Sequence, residues 1–121
     1  MSGVLAGRVA IITGAGGGLG AAHARVFASE GCAVVVNDIN TAAAQAVVDE
    51  IIRAGGKAVV NSSDITNYDD SLNAVKQAID SFGDLHIVLN NAGVNRDRMF
   101  ASMTEQEWDT IMAVHLKGHF C

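Results

Sequence analysis

The stretch at residues 13–20, Thr-Gly-Ala-Gly-Gly-Gly-Leu-Gly, limits what this chain can fold into more than any other. It follows the apolar run Arg-Val-Ala-Ile-Ile-Thr at residues 8–13 and leads into Leu19, Ala22 and Val26, so a buried strand passes into a helix across a run of glycines. Glycine has no Cβ, so the loop can take positive φ and bring main-chain N–H groups close to a ligand. The helix that follows offers unpaired amides and the positive end of its dipole. A diphosphate fits that description. The plainer alternative is a tight strand-to-helix turn with no ligand.

The rest of the chain alternates the same two patterns. The run Ala-Val-Val-Val-Asn-Asp at residues 33–38 is short, apolar and bounded by Gly31 and Asp38, as in a strand covered on both faces of a parallel sheet. Residues 41–54 read as a helix with Ala44, Val47, Val48 and Ile51 on one face, stopped by Gly55 and Gly56. Residues 57–61 supply a third strand. Thr66-Asn-Tyr-Asp69 has the form of a capping box and opens a helix whose Leu72, Val75, Ile79 and Phe82 recur at helical spacing. Residues 85–89 are a fourth strand, ending in Asn90-Asn91-Ala92-Gly93. Thr104-Glu-Gln-Glu107 is a second capping box, starting a helix through Trp108, Ile111, Met112 and His115. Trp108, Ile111, Met112, Leu116 and Phe120 are expected to form its buried face. Four strands alternating with helices through right-handed crossovers predict an α/β, Rossmann-type doubly wound parallel sheet, partial, in the order 3-2-1-4.

Charge and composition exclude several classes. A net charge of −5, with Arg96 and Arg98 the nearest thing to a basic cluster, argues against a nucleic-acid partner. No apolar stretch is long enough to span a membrane and no leader pattern opens the chain, so a cytoplasmic location is the default expectation. Cys32 and Cys121 have no partners at metal-ligand spacing, so no metal site is expected and the thiols read as small apolar residues. The glycine loop lacks the Gly-Lys-Ser/Thr ending of an NTPase.

Asp38 closes the second strand about twenty residues past the glycine loop, where a dinucleotide-binding unit places an acid on the adenosine ribose. A carboxylate there accepts from both ribose hydroxyls and repels a 2′-phosphate. Gly17, Ile39 and Asn40 bring no compensating cation, so NAD is expected over NADP. The alternative for Asp38 is a cap for the following helix.

Thr13-Gly14-x-x-x-Gly18-x-Gly20, Asp38, Asp64-Ile65 and Asn90-Asn91-Ala92-Gly93, in this order and spacing, resemble the N-terminal half of the short-chain dehydrogenase/reductase family over essentially the whole chain. The resemblance implies that Gly14, Gly18 and Leu19 line the cofactor phosphates and that Asp38 binds ribose. It implies that Asp64 and the Ile65 amide hold the adenine edge, and that Asn91, Ala92 and Gly93 lie along the central part of NAD. For Asp64 the alternative is a turn acid before a helix. For residues 90–93 it is a turn whose side-chain amides fasten neighbouring loops, and both readings can hold together. A methyltransferase shares the glycine loop and the acid, but would not explain Asn90-Asn91-Ala92-Gly93.

Residues 90–120, with Asn-Arg-Asp-Arg-Met-Phe at 95–100 and Val-His-Leu-Lys-Gly at 114–118, are similar to the 3-hydroxyacyl-CoA dehydrogenase module of peroxisomal multifunctional β-oxidation enzymes and their bacterial relatives. This implies a secondary alcohol or ketone substrate, with a 3-hydroxyacyl thioester as one candidate. Arg96 and Arg98 meet an anionic substrate, help order the loop, or are a solvated loop pair. His115 stands where the family commonly has an Asn in a proton relay; its imidazole either joins such a network or packs and caps the helix. In the family the corresponding helix takes part in subunit contacts, which implies a homo-oligomer.

The family's catalytic Ser, Tyr and Lys cannot be placed. The only tyrosine is Tyr68, and the residue four beyond it is Leu72. The expectation is therefore an NAD-binding Rossmann domain over residues 1–121, truncated before the catalytic segment, with no catalytic residue of its own and inactive alone. Its fourth strand would be an open edge. A nucleotide-binding or regulatory module without redox catalysis is the alternative.

Overall fold

The computed structural model describes residues 3–93 and 102–121. Its core is a parallel sheet of four strands in the expected order, β3-β2-β1-β4. The strands are β1 (Val9–Ile12), β2 (Ala33–Asn37), β3 (Lys57–Asn61) and β4 (Ile87–Leu89). In register, Ile11 faces Val35 across one seam and Val88 across the other, so the two inner strands are flanked by strands on both sides. Every residue of β1 and β2 is buried, which is why both read as unbroken apolar runs.

Helices α1 (Gly18–Ser29) and α2 (Thr41–Arg53) share a core cluster with Ala10, Ile12, Val34 and Val36. Helix α3 (Tyr68–Phe82) covers the other face, where Val9, Ile11, Ala33 and Val35 meet Ala74 and Ala78. Adjacent β residues point to opposite faces, so β1 and β2 feed both layers. The chain then runs through α4 (Glu105–Ile111), a π-helical turn (Met112–Lys117) and α5 (Gly118–Phe120).

The buried side of α1 is Gly20, Ala21 and Ala24, while Leu19, Ala22 and Val26 are exposed. Three local expectations are corrected. On α3, Ser71, Ala74 and Ala78 are buried and Val75 and Phe82 pack beside them, but Leu72 and Ile79 are exposed. The cap of α3 is Asn67, whose side chain accepts from the Asp70 amide at 3.0 Å, so the capping residue lies one position after Thr66. On the last helical segment Trp108, Met112, Leu116 and Phe120 are exposed rather than buried. Helix α4 buries no residue of its own, and the π turn changes the register of the side chains after it, so Phe120 does not continue an α-helical stripe from Trp108. The second capping box is present: the Glu107 amide donates to Thr104 Oγ1 and the Thr104 amide to Glu107 Oε1. Among the described residues no helix is long and apolar enough to cross a membrane, and no group of His, Cys, Asp and Glu is placed to hold a metal ion.

Candidate cofactor site at the strand ends

The sequence-predicted site residues collect at the C-terminal ends of the strands, where open α/β sheets bind ligands at the change in strand order. Between β1 and α1 the loop takes positive φ at Gly14 (64°) and Gly18 (56°), which glycine adopts without penalty. Side chains cap α2, α3 and α4, through Asn40, Asn67 and Thr104 respectively. Helix α1, with Gly17 at its N-cap, has no side-chain cap and no acid in its first turn, so no side chain of its own competes for its leading amides and positive dipole end. A Cβ at Gly17 or Gly18 would meet nothing within 4 Å, which leaves room over the loop for a ligand. Leu19, the second residue of α1, is exposed beside that room.

Asp38 is tied to the glycine loop. Its Oδ2 accepts from the Gly16 amide and its Oδ1 from the Asn40 amide, both at 2.9 Å. The cap of α2 is Asn40, accepting from the Ala43 amide at 3.1 Å, so helix capping does not account for Asp38. Each carboxylate oxygen keeps acceptor capacity after one N–H, enough for a vicinal diol.

Asn91 and Ala92 are fastened to the loop that follows β1. The Asn91 and Ala92 amides both donate to Thr13 Oγ1 at 3.1 Å, while Asn91 Nδ2 donates to the carbonyls of Thr13 and Gly14 at 3.1 and 3.3 Å. A Cβ on Gly14 would lie 2.8 Å from Ala92 Cα. The Asn91 side chain therefore fastens the two loops. Gly93 is exposed and lies against His115, whose Cε1 would be 2.6 Å from an added Cβ. His119 Nε2 donates to the Ala92 carbonyl at 3.1 Å.

Asp64 and Ile65 stand farther along, after β3. Asp64 Oδ1 accepts from both the amide and the hydroxyl of Thr66, at 2.9 and 2.7 Å, so this carboxylate also shapes the turn into α3. Ile65 is half-buried, its carbonyl accepting from Ser71 Oγ at 3.2 Å and its side chain packed on Gly118. Arg96 and Arg98 lie outside the described residues.

Sequence reasoning missed the polar lattice that holds these loops. Asn37 Nδ2 donates to Asn61 Oδ1 (2.7 Å) and to the Ser63 carbonyl (3.1 Å). Asn61 Nδ2 donates to Gln77 Oε1 (2.8 Å), and Gln77 Nε2 to the Val60 carbonyl (2.7 Å). Asn37 and Asn61 are only 2% and 6% exposed, so their partners within the protein are obligatory. The signal was an Asn closing each of two apolar strands.

Among the described residues, two hollows beside the sheet stand out. One of about 300 Å³ lies between the ends of β1 and β4, α3 and α5, with Thr13, Asn37, Asn90, His119 and Phe120 in its wall. A larger groove of about 790 Å³ lies at the opposite strand ends, walled by Ala28, Gly31, Ala54 and Gly56 and crossed by the Arg25–Glu50 ion pair. It is remote from the glycine loop and from Asp38, so size alone does not mark the cofactor site.

The sequence matches the short chain dehydrogenase family over residues 8–121. It is 47% identical over 121 residues to the hydroxyacyl-CoA dehydrogenase ChsB1 of Mycobacterium tuberculosis, covering 96% of this chain and 38% of that protein. It is 46% identical over 123 residues to peroxisomal multifunctional enzyme type 2 of Mus musculus, covering 94% of this chain and 16% of that one. A crystal structure of a short chain dehydrogenase from Mycobacterium avium superposes with a TM-score of 0.96 at 51% identity, covering 98% of this chain and 44% of that one. The chain thus spans less than half the length of these relatives.

Proposed function

Because the chain belongs to the short-chain dehydrogenase family, we propose that residues 1–121 are the NAD-binding half of an oxidoreductase acting on a secondary alcohol or ketone, with a 3-hydroxyacyl thioester as the substrate class. The observation that carries this reading is Asp38, held by the Gly16 and Asn40 amides directly beside the uncapped start of α1. An acid for a ribose and a cradle for a diphosphate are joined there by a hydrogen bond. The similarity to a hydroxyacyl-CoA dehydrogenase supports the thioester.

In this reading Gly14, Gly18 and Leu19 bind the diphosphate, Asp38 the ribose, and Asp64 with the Ile65 amide the adenine. Asn91, Ala92 and Gly93 line the centre of the coenzyme. Bound NAD supplies hydride exchange. This chain's residues bind and orient it, and none of them is assigned the proton transfer of the reaction. The whole enzyme is proposed to be cytoplasmic and homo-oligomeric, the exposure of Trp108, Leu116 and Phe120 supporting a subunit contact.

Titration of the purified chain with NAD and with NADP tests the proposal. NAD is expected to bind the more tightly. Asp38→Asn, which keeps one acceptor oxygen and removes the charge, is expected to narrow the discrimination by about fivefold, the equivalent of roughly 1 kcal/mol for unit charges 4 Å apart in water. Preference for NADP in the unaltered chain would overturn the NAD assignment, and binding of neither would overturn the reading.

A further inference from the structure

Ala92 is held on both sides, its N–H by the loop that follows β1 and its carbonyl by the last helical segment. Thr13 Oγ1 accepts the Ala92 amide, and on the other side of the same residue the Ala92 carbonyl accepts from His119 Nε2 at 3.1 Å. A carbonyl oxygen has no proton to give, so Nε2 is the protonated nitrogen. The peptide unit is planar and trans, so a fixed Ala92 carbonyl also fixes the Gly93 N–H, which points the opposite way. His115, whose ring lies 6.4 Å from that of His119 between centroids, backs the next residue, Gly93. His115 lies in the π turn and His119 in α5, four residues on, a spacing that puts both rings on one side of the helical segment.

We propose that His119 is a positioning residue for the coenzyme: by donating Nε2–H to the Ala92 carbonyl it aims the Ala92–Gly93 peptide along which the centre of NAD lies. The inference rests on the coenzyme reading above. It gives His119 a task distinct from that of Asp38, because the tether acts beyond the adenosine diphosphate portion.

The test compares NAD with ADP on the full chain and on two variants. His119→Phe keeps a ring and removes the donor; His119→Gln returns an N–H donor at a similar reach. The Phe variant is expected to bind NAD about fivefold more weakly, the loss of one hydrogen bond's worth, with ADP binding unchanged, and the Gln variant to recover most of the deficit. Unchanged NAD affinity in the Phe variant, or equal losses for NAD and ADP, would overturn the inference while leaving the coenzyme reading intact. Absence of NAD and ADP binding in the unaltered chain would remove the reading itself. Nitrogen-15 NMR of the unaltered chain decides the matter even if the Phe variant does not fold. His119 is expected to be protonated at Nε2, with its signal and the Gly93 amide shifting together on addition of NAD and not of ADP. A proton on Nδ1 alone, or an equal response to ADP, sinks the idea.

Discussion

A Cβ built on Gly20 would lie 2.3 Å from the Gly14 carbonyl oxygen and 2.5 Å from Asn91 Nδ2, whereas one on Gly17 would meet nothing within 4 Å. Gly17 also has an extended backbone, φ −168°, that alanine adopts freely. The two glycines therefore serve different ends. Gly20→Ala is expected to lower stability by about 1–3 kcal/mol, since backbone and a bonded amide must move. Gly17→Ala is expected to cost under about 1 kcal/mol, the change in N-cap preference, yet to weaken NAD binding by placing a methyl group in the ligand's space. Urea unfolding and NAD titration of both variants check this. Equal stability losses, or unweakened NAD binding in Gly17→Ala, would contradict the division. The glycine run was legible in the sequence, but its division into packing and open positions was not. That depends on Asn91, seventy-one residues beyond Gly20, whose amide occupies the space a side chain would need.

Helix α2, whose buried face includes larger aliphatic residues, was read correctly, and α3, which rests on the sheet largely through small ones, only in part. Helix α2 buries Ala44, Val47, Val48 and Ile51 as its pattern predicts. Helices α1 and α3 bring Gly20, Ala21 and Ala24, and Ser71, Ala74 and Ala78, against the strands. A hydrophobic stripe gives such small residues little weight, so the larger flanking residues Leu72 and Ile79 drew the predicted face around α3. Capping chemistry separates the elements in another way. Asn67 caps α3, which shares a core cluster with β1 and β2, while Thr104 caps α4, which buries no residue. Asn67→Ala is expected to lower global stability by about 1 kcal/mol. Thr104→Ala should fray α4, seen as faster amide exchange over residues 105–111, with the unfolding midpoint nearly unmoved. A midpoint loss as large for Thr104→Ala as for Asn67→Ala would show that α4 is an integral part of the cooperative unit.

At the scale of the whole molecule the two faces of the sheet are unequally closed. The layer under α1 and α2 is continuous from Ala10 to Ala58, while on the α3 side Val88 of the edge strand remains exposed. Cys32 lies inside the closed layer, 1% exposed, so its ionisation is coupled to unfolding of the whole rather than to local opening. Burial pushes this thiol above its ordinary value of 9.0, against a smaller lowering by the backbone at Ala10. Below pH 9 folded and unfolded chains both hold the proton, and the group leaves stability indifferent to pH. Above it the unfolded chain releases a proton that the folded chain keeps, so stability falls as pH rises, by up to about 1.4 kcal/mol per pH unit until the folded thiol itself ionises. Cys32→Ala should be less stable near pH 7, from lost packing, and should lack this share of the alkaline decline, so that the two proteins converge between pH 9 and the folded value. Urea unfolding of both from pH 7 upward measures the difference directly. Parallel curves would mean that the thiol ionises as readily in the folded chain as in the unfolded one, and that the closed layer admits water to Cys32.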